Sequence, residues 1–299
     1  MASDAHVVLV DPAESAERYA RERLAQLERR WSRFLPGSDV SRLNTTAGGL
    51  MLVSPDTIVL LDTMKEAWQV TEGRYDPTML AAIIAAGYST SVDGSGRRSR
   101  SASRPSVEHT IGEVAIDPLT TAVLVPPGVG LDAGGIGKGL AADMVVTELL
   151  VGGTGGALIG VGGDLAAAGT PPTTAGWQVA VEHPFDSSRS LARLALKAGG
   201  VATSSTLSRA WIKDGSRRHH ALDPLTRTSS TTDLAAVTVV ARAGWEAEAH
   251  ATAALLGGSE HVLDYLDRHG LEGVATTLDG TTVASPALRG AGPNERNVA

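Results

Sequence analysis

The chain has 299 residues, 42% of them hydrophobic and 20% charged, with a net charge of −7. That length suits one large domain or two ordinary ones, and the balance is that of a soluble globular protein. An acidic chain lacks the basic face of a nucleic-acid binder, and the absence of cysteine excludes disulfides, thiolate zinc sites and thiol nucleophiles.

Residues 6–11, HVVLVD, read as a first strand. Residues 13–33 read as a charged amphipathic helix, with Ala16, Tyr19, Ala20, Leu24 and Leu27 near helical spacing. LPGSD (35–39) reads as a turn, and Ser54-Pro55 predicts a cap and first-turn proline for a helix over 55–72. EGRYDPT (72–78) is another turn, followed by the apolar MLAAIIAAG. Residues 89–110, rich in Ser, Gly and Arg, predict a mobile loop whose basic cluster GRRSR is solvated. TAVLVPP (121–127) is strand-like, and KGLAADMVVTELLV (138–151) is helical. GALIGVGGDLAAAG (156–169) reads as a strand into a glycine turn, and WQVAVEHP, SLARLALK and GVATSST as further strands. AAVTVVAR is a strand, WEAEAHATAALLG a helix ending at Gly257, and GVATTLDG a last strand.

Strands come in runs rather than alternating with helices. The predicted class is therefore α+β, with mixed or antiparallel sheets and packed helices, not a Rossmann fold. No run of about 18 apolar residues occurs, so no membrane span is expected. The first residues carry no basic start or long apolar stretch. As written, the chain is expected in the cytoplasm, or outside it if a leader has been removed.

LDAGGIGKGLAAD (131–143) sets four glycines around Lys138, with an aspartate near each end. A P-loop needs a glycine at 132 and a hydroxyl at 139, where this chain has Asp and Gly. Gly137, Gly139 and Ala142 match a dinucleotide pattern, but no uninterrupted strand leads into them. A glycine turn opening a helix does present free N–H groups and a partial positive charge, to which Lys138 adds a full one: an anion site. The same turn could equally serve only to pack a helix against a sheet, with Lys138 in solvent.

The surrounding blocks separate these readings. The stretch resembles the signature of the ApbE-like FAD:protein FMN transferases, and so do its neighbours in the same order. MASDAHVVLV is similar to the family's opening strand, and Ser38, Ser41 and Asn44 to its Ser-x-x-Ser-x-x-Asn block. GRYDPT, the Gly162-Gly163-Asp164 strand, VATSSTLSRAW, HHALDPLT and EAHATAALLGG resemble further blocks, so the likeness runs from residue 1 to about 280.

The resemblance implies a single ApbE-like domain over 1–287, with a loop at about 89–110 and a flexible tail over 288–299. It implies Mg²⁺-dependent cleavage of FAD, with FMN moved through its phosphate to a Thr or Ser hydroxyl of an acceptor flavoprotein and release of AMP. An FAD pyrophosphatase or a silent FAD-binding protein are the alternatives. Glu248 and Thr252, one turn apart on a helix, would hold the metal with the carbonyl of Gly135. Met1, Phe34, Arg74, Tyr75, Asp76, Asp132 and Lys138 match positions that contact FAD. His220 is the candidate general base and Asp164 a group that orients the base or the acceptor. Three positions depart from the family pattern: Glu248 replaces Asp, and Ser205 and Arg227 each replace Gly.

Overall fold

The computed structural model describes residues 4–46, 48–100 and 109–289, and the backbone of 296–298. Among these are seven α-helices: α1 Ala16–Trp31, α2 Asp39–Thr45, α3 Pro55–Val70, α4 Leu80–Ala86, α5 Gly137–Val151, α6 Gly244–Gly257 and α7 Val262–Arg268. The strand ladders are antiparallel, except where Arg296–Val298 pairs in parallel with Leu194–Leu196. This is the expected α+β class. Gly156–Val161 with Asp164–Gly169 and Leu234–Ala241 with Glu272–Thr277 pair as consecutive strands, whereas Ala5–Val10 pairs with the distant Gly156–Val161.

Where the sequence predicts one domain over 1–287, contacts divide the chain into two compact units. One comprises Ala25–Gly137 with Arg209–Ser230; the other comprises the described parts of Ser3–Leu24, Lys138–Ser208 and Thr231–Ala299.

In the first unit, α3 begins as its sequence dictates. Ser54 Oγ accepts from Thr57 N at 3.3 Å, and Pro55 follows in the first turn. The preceding segment is more regular than a turn. Ser38 caps α2 by accepting from Ser41 N at 3.0 Å. Buried Asn44 at the end of α2 exchanges two hydrogen bonds with the backbone of Leu131, at 2.8 and 2.6 Å. The Ser-x-x-Ser-x-x-Asn block is thus a capped helix that anchors the start of the glycine turn. α4 ends at Gly87 in the left-handed conformation (φ 115°), the usual stop for a helix without a polar C-cap. Ala210–Lys213 and Ser216–His219 form a hairpin over Asp214-Gly215. Both turn residues have positive φ, 50° and 72°, as a two-residue type I′ turn requires. Trp211 Nε1 donates to the Ala86 carbonyl at 2.9 Å and ties the hairpin to the end of α4.

The described part of the predicted mobile loop is a closed turn. Ser91 N and Ser99 N donate to Arg97 O and Ser89 O, each at 2.8 Å, and Asp93 pairs with Arg97. Residues 101–108 lie outside the described residues.

The second unit is built on a seven-stranded sheet in the order Ala5–Val10, Gly156–Val161, Asp164–Gly169, Gly199–Ser205, Leu234–Ala241, Glu272–Thr277, Thr282–Ala284. α6 packs on Gly199–Ser205 and Leu234–Ala241. Its fully buried Ala247, Ala251 and Ala254 let it lie close to the sheet. A second sheet of Trp177–His183, Asp186–Leu196 and Arg296–Val298 contributes Trp177, Leu194 and Leu196 to an apolar core with Leu158, Val201 and Val274. Leu288, where the sequence predicts fraying, is buried in that core, because an apolar side chain at a chain end is stabilised by burial.

His250 makes this unit sensitive to acid. It is buried on α6, with Nδ1 2.7 Å from the Tyr265 hydroxyl of α7. Burial, and then neighbouring His269, push its pKa down to about 4. The unfolded chain binds the proton near 6.5, so this stabilisation is complete above that pH and is lost as pH falls toward 4. The loss is about 3 kcal/mol. Urea midpoints measured between pH 7 and pH 4 should fall less steeply in His250→Gln than in the wild type.

Candidate functional site

In the second unit, α5 and α6 meet at their N-terminal ends. A Cβ on Gly139 would lie 2.2 Å from the Gly244 carbonyl oxygen, so only glycine allows this approach. The contact lets the Glu248 side chain of α6 reach α5. Its Oε2 accepts from Lys138 N at 3.1 Å and Gly139 N at 2.8 Å, amides that have no partner within their own helix. Lys138 Nζ pairs with Asp164 and lies 3.2 Å from Glu248 Oε1. Asp164 Oδ1 accepts from Thr203 N at 3.1 Å. One turn beyond Glu248, the Thr252 hydroxyl lies 3.2 Å from the Glu248 carbonyl and 3.0 Å from Ser204 Oγ. Lys138, Asp164, Glu248 and Thr252 therefore form one group, with a single cation between two carboxylates.

Gly139→Ala drives a methyl group into backbone that cannot turn aside. It should lower the urea midpoint by the equivalent of about 1–3 kcal/mol or more. Gly37→Ala, where an added Cβ meets nothing within 4 Å, should leave the midpoint unchanged.

In the first unit, Asp132 Oδ1 accepts from Gly134 N at 3.0 Å, and Oδ2 pairs with Arg33 Nε at 3.2 Å. The Arg33 guanidinium lies 4.3 Å from the Phe34 ring centroid and 4.8 Å from that of Tyr88. Tyr88 stacks on Trp211 with centroids 5.7 Å apart. Phe34 thus belongs to a half-buried aromatic and guanidinium group. Tyr88 carried no motif that marked it, and Arg33 and Trp211 stand inside the matched blocks with no role assigned to them. The usable signal was the scarcity of aromatics, two Phe and four Tyr in the chain, with Arg33 next to one of them.

Asp76 accepts from Thr78 N at 2.8 Å, as a turn aspartate does, and pairs with Arg227 at 3.1 Å. Arg227 has φ 57°, the backbone that a glycine would adopt without strain. It keeps the conformation and adds a cation against a buried carboxylate. Arg227→Gly strands Asp76 and should cost about 3 kcal/mol by chemical denaturation. Adding Asp76→Asn should recover much of that loss. Ser205 needs no glycine-like backbone: it lies in a strand, and its hydroxyl donates to the Ala235 carbonyl at 2.8 Å.

Tyr75 is buried and Arg74 half-buried in the same turn as Asp76. Gly135 has φ 81° in the turn that opens α5. His220 is half-buried between the hairpin and Leu222–Asp223. Its neighbour His219 is buried, with Nε2 3.1 Å from the Ser230 carbonyl, and desolvation holds its pKa below the usual histidine value. Met1 lies outside the described residues. Among the described residues, no helix is long and apolar enough to cross a membrane.

Solved ApbE proteins share this fold. The model of the ApbE family matches residues 1–275, and the chain belongs to that family. An FAD:protein FMN transferase of Escherichia coli K12 is 29% identical over 175 residues, 57% of this chain and 50% of the relative. One of Rhodobacter capsulatus is 27% identical over 272 residues, 88% of this chain and 51% of the relative. The matched part thus spans about half the length of these two relatives. Among solved structures, the Pseudomonas stutzeri flavinyl transferase ApbE aligns with a TM-score of 0.76 at 25% identity, covering 97% of this chain and 98% of that one. The Thermotoga maritima ApbE protein aligns with a TM-score of 0.79 at 24% identity, covering 94% and 92%.

Proposed function

We propose that this chain is a magnesium-dependent FAD:protein FMN transferase. The observation that carries the reading is the group of Lys138, Asp164, Glu248 and Thr252 at the start of α5.

The residues fit a magnesium ion. Glu248 Oε1 is buried and takes no backbone amide, facing the Lys138 ammonium at 3.2 Å, while Thr252 offers a hydroxyl one turn away. A carboxylate and a hydroxyl are hard oxygen donors of the kind Mg²⁺ takes. When bound, the ion would neutralise charge on the pyrophosphate and ease departure of the leaving group. Lys138 would offset further negative charge on the pyrophosphate or meet a flavin oxygen. For the first unit taken by itself, the resemblance supports Phe34, Arg74, Tyr75, Asp76 and Asp132 as FAD contacts, with Arg33 and Tyr88 completing the aromatic group around Phe34.

The acceptor hydroxyl would attack the phosphorus on the FMN side of the pyrophosphate. A phosphoester forms, the bond to the bridging oxygen breaks, and AMP leaves with that oxygen. His220 would take the hydroxyl proton, since a threonine is a weak nucleophile until its proton is accepted. Asp164 would orient Lys138.

Chromatography of FAD incubated with the protein and an acceptor protein tests this reading. Equal release of AMP and loss of FAD, both stopped by a chelator, are expected. AMP with stoichiometric free FMN would make the protein a pyrophosphatase, and intact bound FAD a binding protein.

A further inference from the structure

The second aspartate of LDAGGIGKGLAAD has no part in the chemistry above, yet its contacts are as specific as those of Glu248. Asp143 lies on α5, and its Oδ1 and Oδ2 accept from Gly244 N at 2.8 Å and Trp245 N at 2.9 Å, the first amides of α6. Glu248 of α6 does the same for the first amides of α5. The two helices therefore exchange caps, each carboxylate satisfying the free N–H groups of the other helix.

We propose that Asp143 is a positioning residue for Glu248: by holding the start of α6 against the start of α5, it fixes which Glu248 oxygen caps α5 and which is left for the metal ion. This rests on the magnesium reading given above.

Three observations carry it. The glycine contact leaves no room for side chains between the helices: Cβ atoms at Gly139 and Gly244 would lie 2.2 and 2.8 Å from each other's backbone, and one at Gly200, in the strand beneath, 2.4 Å from Gly244 N. α6 has no side-chain cap of its own, since Ala243 occupies its N-cap position, so Asp143 supplies the carboxylate that holds that end. Glu248 lies four residues after Gly244, so a shift of the capped end carries Glu248 with it. Its Oε2 is committed to two backbone amides, and Oε1 faces only the Lys138 ammonium, at 3.2 Å. Slack at the Asp143 cap would let Oε1 and Oε2 exchange places, and a metal demanding near-ideal geometry tolerates that poorly. The carboxylates also lie near one another: burial, then Glu248 and Glu246, push the Asp143 pKa up to about 6 against its two backbone hydrogen bonds.

The test is calorimetric titration of MgCl₂ into the full chain and into Asp143→Asn and Asp143→Ala, with urea unfolding measured without metal. The loss expected for an outer partner of a metal ligand is roughly 10–100-fold in Mg²⁺ affinity for Asp143→Ala. Asp143→Asn, isosteric and keeping one acceptor, should lose less, and KM for FAD at saturating Mg²⁺ should stay at the wild-type value. If Asp143→Asn folds and binds Mg²⁺ as tightly as the wild type, and Asp143→Ala does too wherever it folds, Asp143 is a helix cap only and the inference fails. Wild-type protein that binds no Mg²⁺ would instead overturn the magnesium reading, and this inference with it.

Discussion

Glu248→Gln is expected to reduce Mg²⁺-dependent flavin transfer by about a thousandfold while leaving the melting temperature of the metal-free protein nearly unchanged. The two effects separate because Glu248 has two tasks. Its Oε2 caps α5 through Lys138 N and Gly139 N, and a glutamine carbonyl oxygen can keep accepting those bonds. Its charge is a different matter. Lys138 stands between Asp164 and Glu248, so the neutral variant leaves one cation facing one carboxylate and no net negative charge to hold a divalent ion. A catalytic metal supplies several kcal/mol of charge stabilisation, and each 1.4 kcal/mol or so is tenfold in rate. Glu248→Ala should lose both tasks, with the melting temperature falling as well. Transfer that keeps its rate and its Mg²⁺ dependence in Glu248→Gln would remove Glu248 from the metal site.

The second large effect concerns His220. His220→Gln should slow transfer to an acceptor hydroxyl by about 10²–10⁴, the range for losing a general base. FAD affinity should stay close to the wild-type value, because the proposed FAD contacts lie elsewhere. His219→Gln is the natural comparison. That side chain is buried against the Ser230 carbonyl, so its loss should appear in stability rather than in transfer. If His219→Gln loses transfer and His220→Gln keeps it, the assigned roles are reversed.

The regular elements were legible wherever local chemistry set them. Ser54-Pro55 started α3 as predicted, and Gly257 ended α6, because caps and prolines act on their own segment. α2 was missed: seven residues are too few for a periodic pattern, and Ser38 as a cap looked the same as a turn serine. The hairpin over Asp214-Gly215 was missed despite its Asp-Gly signal, because its flanks are basic rather than alternating. At the site, the ApbE motifs pointed to Lys138, Asp164, Glu248 and Thr252, and the structure joins them. The sequence did not say that Lys138 would sit between two carboxylates, nor that Arg227 would bind Asp76. Those contacts cross 26, 110 and 151 positions of chain, and no local pattern encodes them. Asp143 was in view from the start, but its purpose is set by amides 101 and 102 residues away.

If FMN moves onto a protein hydroxyl through its phosphate, the acceptor carries the adduct. Intact-mass and fragment-ion spectrometry of an acceptor peptide, after incubation with this protein, FAD and Mg²⁺, tests that most directly. A peptide carrying one FMN on its threonine is expected, matched mole for mole by AMP and absent when that threonine is changed to alanine. An unmodified peptide alongside AMP and free FMN would contradict it.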